Sequence, residues 1–179
     1  MKLRHFNTRQ LALTAVLAAM CTVLGGISLR LGGNFEFTFE SVPVHIGALL
    51  FGPIEGAFIG GIGTFIYQVL LSGYGISATT PLWILPYVVC GLIVGALTRR
   101  DKERSYTHLA LIILAAELSI TLLNTLALAV DALIYGYYSP AFIFGTLALR
   151  LVICVIKAVA YAAILPKLMH PLKTFTKRA

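Results

Sequence analysis

The sequence predicts an all-α, polytopic membrane protein built as a bundle of six transmembrane helices. Three observations carry this. The 179 residues are 59% apolar and only 12% charged, and mean hydropathy is +0.90. A soluble domain carries about 25% charged residues, because its surface must face water. The apolar residues fall into long runs of the length that crosses a bilayer, about 20 residues. The charges collect in short clusters between those runs, which argues against a basic nucleic-acid-binding face despite the net charge of +7.

The runs place spans at residues 11–29, 42–52, 54–72, 82–98, 108–130 and 144–165, all within one membrane domain, 1–179. The first is led by Lys2, Arg4 and Arg9, like a signal peptide. Its apolar stretch is too long for a signal h-region, and Met20 is bulky where a cleavage box before Cys21 needs a small residue, so it reads as a retained helix. The second is short, and Gly52-Pro53 ends it. The fourth contains Pro86, a kink position.

Six spans put both termini on one side of the membrane. Lys2, Arg4, Arg9, Arg99, Arg100, Lys102, Arg104, Lys167, Lys173, Lys177 and Arg178 then share that side, and only Arg30 lies in a loop opposite. The positive-inside rule makes the basic side cytoplasmic. Five or seven spans would destroy the segregation. The expected location is the plasma membrane, multi-pass.

The opposite loops differ in chemistry. In residues 30–41, Phe35, Phe37 and Phe39 alternate with Glu36, Thr38 and Glu40, the period of an extended segment. Residues 72–80 carry no charge, and residues 131–139 hold Tyr135, Tyr137 and Tyr138. These tyrosines read either as an interfacial belt or as a lid over an outward-facing ligand pocket.

Polar residues inside the spans are expensive and therefore informative. Glu117, Asn124 and Asp131 are seven apart and share one helix face, and Arg150 and Lys157 repeat that spacing on the sixth span. The two helices run antiparallel. Their depths predict a structural ion pair, Glu117 with Lys157, and an outer pair, Asn124 with Arg150, available to a ligand. Gln68, Tyr67, Trp83, Tyr87, Glu40 and His45 are the further candidates for lining the pocket. Trp83 also suits an interfacial anchor.

Gly52, Gly56 and Gly60 are four apart, and Ala15 and Ala19 form a similar small stripe on the first helix. Small residues at this spacing let helices approach closely in lipid. Cys21, Cys90 and Cys154 lie in apolar runs without the spacing of a disulfide framework or zinc site. No catalytic or nucleotide-binding motif is present, and neither a metal nor a cofactor is expected.

Taken together, TRQLALTAVLAAM (8–20), SVPVHIGALLFGPIEGAFIGGIGTFIYQVLLSGYG (41–75) and CGLIVGALTRR (90–100) resemble the S components of energy-coupling factor (ECF) vitamin transporters. The resemblance covers most of the chain. It implies a six-helix subunit, not an enzyme, that binds a water-soluble vitamin or precursor on its outer side. Its partners would be a transmembrane coupling protein and two cytoplasmic ATPases, docked through the Ala15 and Ala19 face. Arg150 and Arg30 favour an anionic ligand such as pantothenate or a folate, Glu36 and Glu40 oppose it, and cobalamin and pyrimidine precursors stay open. The competing readings are a stand-alone secondary transporter or channel and a membrane enzyme. A single chain this short shows no inverted repeat for the former, and no acid–base set marks the latter.

Overall fold

The computed structural model of the chain describes residues 8–27, 29–30, 36–73, 75–98 and 105–177. Among them the chain forms α1 (Thr8–Gly26), α2 (Ser41–Phe51), α3 (Pro53–Leu70), α4 (Thr80–Thr98), α5 (Tyr106–Tyr135), α6 (Pro140–Phe144) and α7 (Leu147–Lys177). Two short strands, β1 (Leu29–Arg30) and β2 (Glu36–Phe37), pair antiparallel with Leu29 opposite Phe37 and Arg30 opposite Glu36. The extended reading of the first loop thus takes the form of a small hairpin. Lys2, Arg4, His5, Phe35, Arg99, Arg100, Lys102, Arg104 and Arg178 lie outside the described residues.

Among the described residues, four apolar stretches are long and apolar enough to cross a membrane: Thr8–Gly26, Thr80–Thr98, Tyr106–Tyr135 and Pro140–Met169. Helix α3, at 18 residues, falls within the range of about 17–25 residues that spans. Helix α2 is different. Its 11 residues reach about 16 Å at about 1.5 Å each, roughly half of a hydrocarbon core about 30 Å thick. It lies inside the bundle, packed on α1, α3, α4 and α7, with eight of its 11 residues buried. An apolar run without an amphipathic stripe suits such a surrounded helix. Gly52 breaks α2 from α3 with φ 118° and ψ −173°, a backbone that only glycine adopts without strain, and Pro53 starts α3 at N1.

Two expected boundaries move. The fifth helix continues past residue 130 to Tyr135, so Asp131 belongs to the helix and not to the loop; Gly136 at φ 78° caps it. The sixth span is interrupted between α6 and α7 and then extends beyond residue 165.

The glycine stripe works as contact surface. A Cβ on Gly91 of α4 would sit 2.3 Å from the Gly56 carbonyl carbon, and one on Gly60 would sit 2.5 Å from the Tyr87 carbonyl oxygen. Helices α3 and α4 therefore touch backbone to backbone. The bundle's outer surface is the reverse of a soluble protein's: Phe58, Leu122 and Ile156 are 54%, 57% and 61% exposed. Apolar exposure on that scale would cause aggregation in water and is normal solvation in lipid.

Candidate functional site

Three groups of polar side chains lie along the interior, and α2 connects the first two. At its start, Glu40 is buried, 3% exposed, and accepts a 2.9 Å hydrogen bond from Thr64 Oγ1 of α3. It occupies the N-cap position of α2 but makes no side-chain cap bond there. Gly25 of α1 closes over it: a Cβ there would stand 3.2 Å from the Glu40 carboxyl carbon and 3.2 Å from the Tyr67 ring. The Tyr87 side chain of α4 also lies against Glu40. The structure therefore brings Glu40, Tyr67 and Tyr87 together.

One turn further along α2, His45 is fully buried. Its Nδ1 is 2.7 Å from the Ser41 carbonyl oxygen and 3.7 Å from Cys90 Sγ. Its Nε2 lies 3.6 Å from Glu117 Oε1, and Lys157 Nζ lies 3.6 Å from Glu117 Oε2. The Tyr161 ring meets His45 edge-on, with centroids 5.7 Å apart. Glu117 and Lys157 thus stand at one level, as their depths predict, with His45 as a third member.

The α5–α7 register extends toward the C-terminal end of α5. Thr121 Oγ1 and Cys154 Sγ are 2.8 Å apart, one turn above the ion pair on each helix. Asn124 and Arg150 lie about one further turn along their helices. Both side chains are half-buried.

The third group is at the end of the bundle formed by the loops before α4 and after α5. Asp131 accepts hydrogen bonds from Thr79 Oγ1 on one carboxylate oxygen and from the Tyr137 hydroxyl on the other. Ser77 Oγ is 3.0 Å from Thr79 Oγ1, and the Ser77 N–H donates to Thr80 Oγ1 at 2.8 Å. One carboxylate thereby ties the uncharged loop before α4 to the tyrosine loop after α5. Trp83 packs beside this tie against Leu128, Ala132 and Ile143. Gln68 is half-buried on α3.

Sequence reasoning passed over Thr64, Thr79, Ser41 and Tyr161. The last two had a local signal: Ser41 precedes His45 by four residues and Tyr161 follows Lys157 by four, each on the same helix face. Among the described residues, no three His, Cys, Asp or Glu side chains are placed to hold a metal ion.

On α1, Ala15 and Ala19 are exposed on the face turned away from the bundle, while Leu17, Ala18 and Cys21 are buried on the opposite one. Gln10 Nε2 donates to Glu55 Oε1 at 2.8 Å and fastens the start of α1 to α3.

A lipid-facing bundle with polar side chains buried between its helices defines an integral membrane protein. The fold is similar to the crystal structure of the S component for biotin from an ECF-type ABC transporter, with a TM-score of 0.70 over 94% of each chain at 14% identity. A family model described as "ECF-type riboflavin transporter, S component" matches residues 5–174. The chain belongs to that family. It is a substrate-binding transporter subunit of the membrane, not an enzyme.

Proposed function

We propose that this chain captures riboflavin from the outer side of the membrane and hands it to an ECF transport complex. The family model over residues 5–174 carries the reading. The interior supports it. Glu40 is 3% exposed, and this buried carboxylate offsets the attraction of Arg150 for an anion, which favours a neutral, hydrogen-bonding vitamin. Riboflavin joins a flat ring with carbonyl and N–H groups to a polyhydroxyl chain. The aromatic residues Tyr67, Tyr87 and Trp83 suit the ring's faces. Asn124, Gln68 and Arg150 offer donors to its oxygens, and Glu40 offers an acceptor. The Glu117–Lys157 pair serves chiefly to hold α5 to α7.

Energy would come from partners: a transmembrane coupling protein docking on the Ala15 and Ala19 face of α1, and two cytoplasmic ATPases. Both termini would be cytoplasmic, in the plasma membrane. Calorimetry on the purified full chain with riboflavin, biotin, pantothenate and a folate tests the ligand. Saturable binding of riboflavin, with the other three at least a hundredfold weaker, is expected. Tighter binding of any of the three overturns the assignment.

A further inference from the structure

The segment before α4 and the segment after α5 each close locally on themselves. In the first, the Ser77 N–H donates to Thr80 Oγ1 at 2.8 Å, and the Thr80 N–H donates to the Ser77 carbonyl oxygen at 3.2 Å. In the second, the Tyr137 N–H donates to the Ala132 carbonyl oxygen at 3.0 Å across the left-handed Gly136 and closes the end of α5. Each segment begins at a glycine of positive φ, Gly75 at 67° and Gly136 at 78°, and a Cβ at either would meet nothing within 4 Å. The chain is therefore not wedged in place at either root.

What fastens the two segments is shared between them. Thr79 is 1% exposed, and a buried hydroxyl needs a partner. It donates to one oxygen of Asp131, and the Tyr137 hydroxyl donates to the other. The Tyr137 ring also meets Phe142 of α6 edge-on, with centroids 5.8 Å apart. Beside these bonds lies a small apolar cluster of Leu128 and Ala132 from α5 and Ile143 from α6, with Trp83 of α4 packed against it. It has no member in common with the main core. Helix α6, at five residues, is too short to hold its shape without such contacts.

Two independent loops would keep their bonds and contacts to themselves. Here a polar fastening joins α4, α5 and the loop after it, and an apolar cluster joins α4, α5 and α6, apart from the core. Contiguous contacts of this kind are what make a region of a protein open as one cooperative unit.

We infer that Asp131 is a clasp that makes residues 75–83 and 131–143 a single opening unit, so that the two segments loosen and order together and not one at a time. The Thr79 and Tyr137 hydroxyls are its two arms, and the cluster around Ile143 is its seat. A ligand or partner that orders either segment then orders both, because stabilising any part of a cooperative unit makes all of it harder to open. The inference stands on this end of the bundle and does not depend on which vitamin the chain carries.

Hydrogen exchange read by mass spectrometry, on the full chain in lipid nanodiscs without ligand, tests it. Tyr137→Phe and Thr79→Val each remove one hydroxyl and keep the shape of the side chain. The reporters are the amides of Thr80 and Leu82 on one side, bonded to the Ser77 and Thr79 carbonyls, and those of Tyr137 and Ile143 on the other, bonded to the Ala132 and Ser139 carbonyls. Each variant is expected to speed exchange in both segments by a common factor of about tenfold or more, the scale of one lost hydrogen bond to a charged acceptor, while α3 stays unchanged. Trp83 should become more open to quenching by iodide in both variants. A variant that speeds only the segment carrying it, or neither segment, overturns the clasp. Should Thr79→Val not fold, Tyr137→Phe decides alone at Thr80 and Leu82, which it does not touch: faster exchange there upholds the unit, and unchanged exchange overturns it.

Discussion

Removing Glu117 is the sharpest test of how the interior charges are held. Its side chain is 3% exposed and that of Lys157 14%, so Glu117→Leu leaves an ammonium inside the bundle without its carboxylate. Breaking a buried pair costs about 3–5 kcal/mol, while a lysine at the centre of a membrane helix costs about 2.5–3.5 kcal/mol because its long stem relaxes toward polar surroundings. The partial exposure of Lys157 favours the lower end, about 3 kcal/mol. For a chain of this length about 2–4 °C of melting temperature corresponds to each kcal/mol, so a loss of about 6–12 °C is expected. The second half of the experiment is Glu117→Leu with Lys157→Met. Taking both charges away replaces the pair with apolar volume, an exchange that is often neutral or stabilising. The double variant should regain most of the loss, and the non-additivity measures the coupling. Thermal unfolding of the purified protein in one detergent, followed by tryptophan fluorescence from Trp83 and by circular dichroism, reads all four corners of the cycle. A single variant melting within about 2 °C of the parent, or a double variant no more stable than the worse single, would refute the reasoning.

Four further outcomes are expected. Single cysteines at Ser77 and Ser105, in a chain lacking Cys21, Cys90 and Cys154, should label from opposite faces of the membrane with an impermeant reagent; labelling from one face refutes the topology. Ala15→Leu with Ala19→Leu should leave ligand affinity unchanged and abolish uptake in cells that supply the coupling protein and ATPases, because both alanines are on the exposed face of α1; normal uptake moves the docking face elsewhere. Arg150→Ala should weaken ligand binding by about 2–5 kcal/mol if its guanidinium meets the ligand in a desolvated site, and calorimetry within a few-fold of the parent makes it structural. Asp131→Ala removes both hydrogen bonds that tie the two outer loops, each to a charged acceptor and worth about 1.5–3 kcal/mol. Stopped-flow should show ligand release at least about tenfold faster, and an unchanged off-rate means that the tie is not a latch.

Much of the fold was readable because lipid simplifies the pattern. Long apolar runs and the one-sided basic clusters give helix number without any knowledge of packing. The Glu117–Lys157 level was readable for a related reason: seven-residue spacing on two antiparallel helices sets a register that depth alone can match. A span of 108–130 falls short of the end of α5, because the apolar run stops at Asp131 while the helix does not. A carboxylate with two hydroxyl donors is tolerated within a helix, and the effective stop is Gly136, whose φ of 78° ends the helix.

What the sequence withheld is the position of α2. Its 11 residues are too short to set a depth by spanning, and nothing local says that α5 and α7 flank it. His45 therefore read as a possible pocket residue near the outer end, whereas its imidazole reaches the Glu117 carboxylate of α5. The same missing register hid the Glu40–Thr64 bond between α2's start and α3. A helix of 11 residues, too short to be aligned by its length, escapes the depth rule that places the others. Its polar residues can be placed only after its neighbours are known, and that is why the interior chemistry centred on α2 emerges from the structure rather than from the chain.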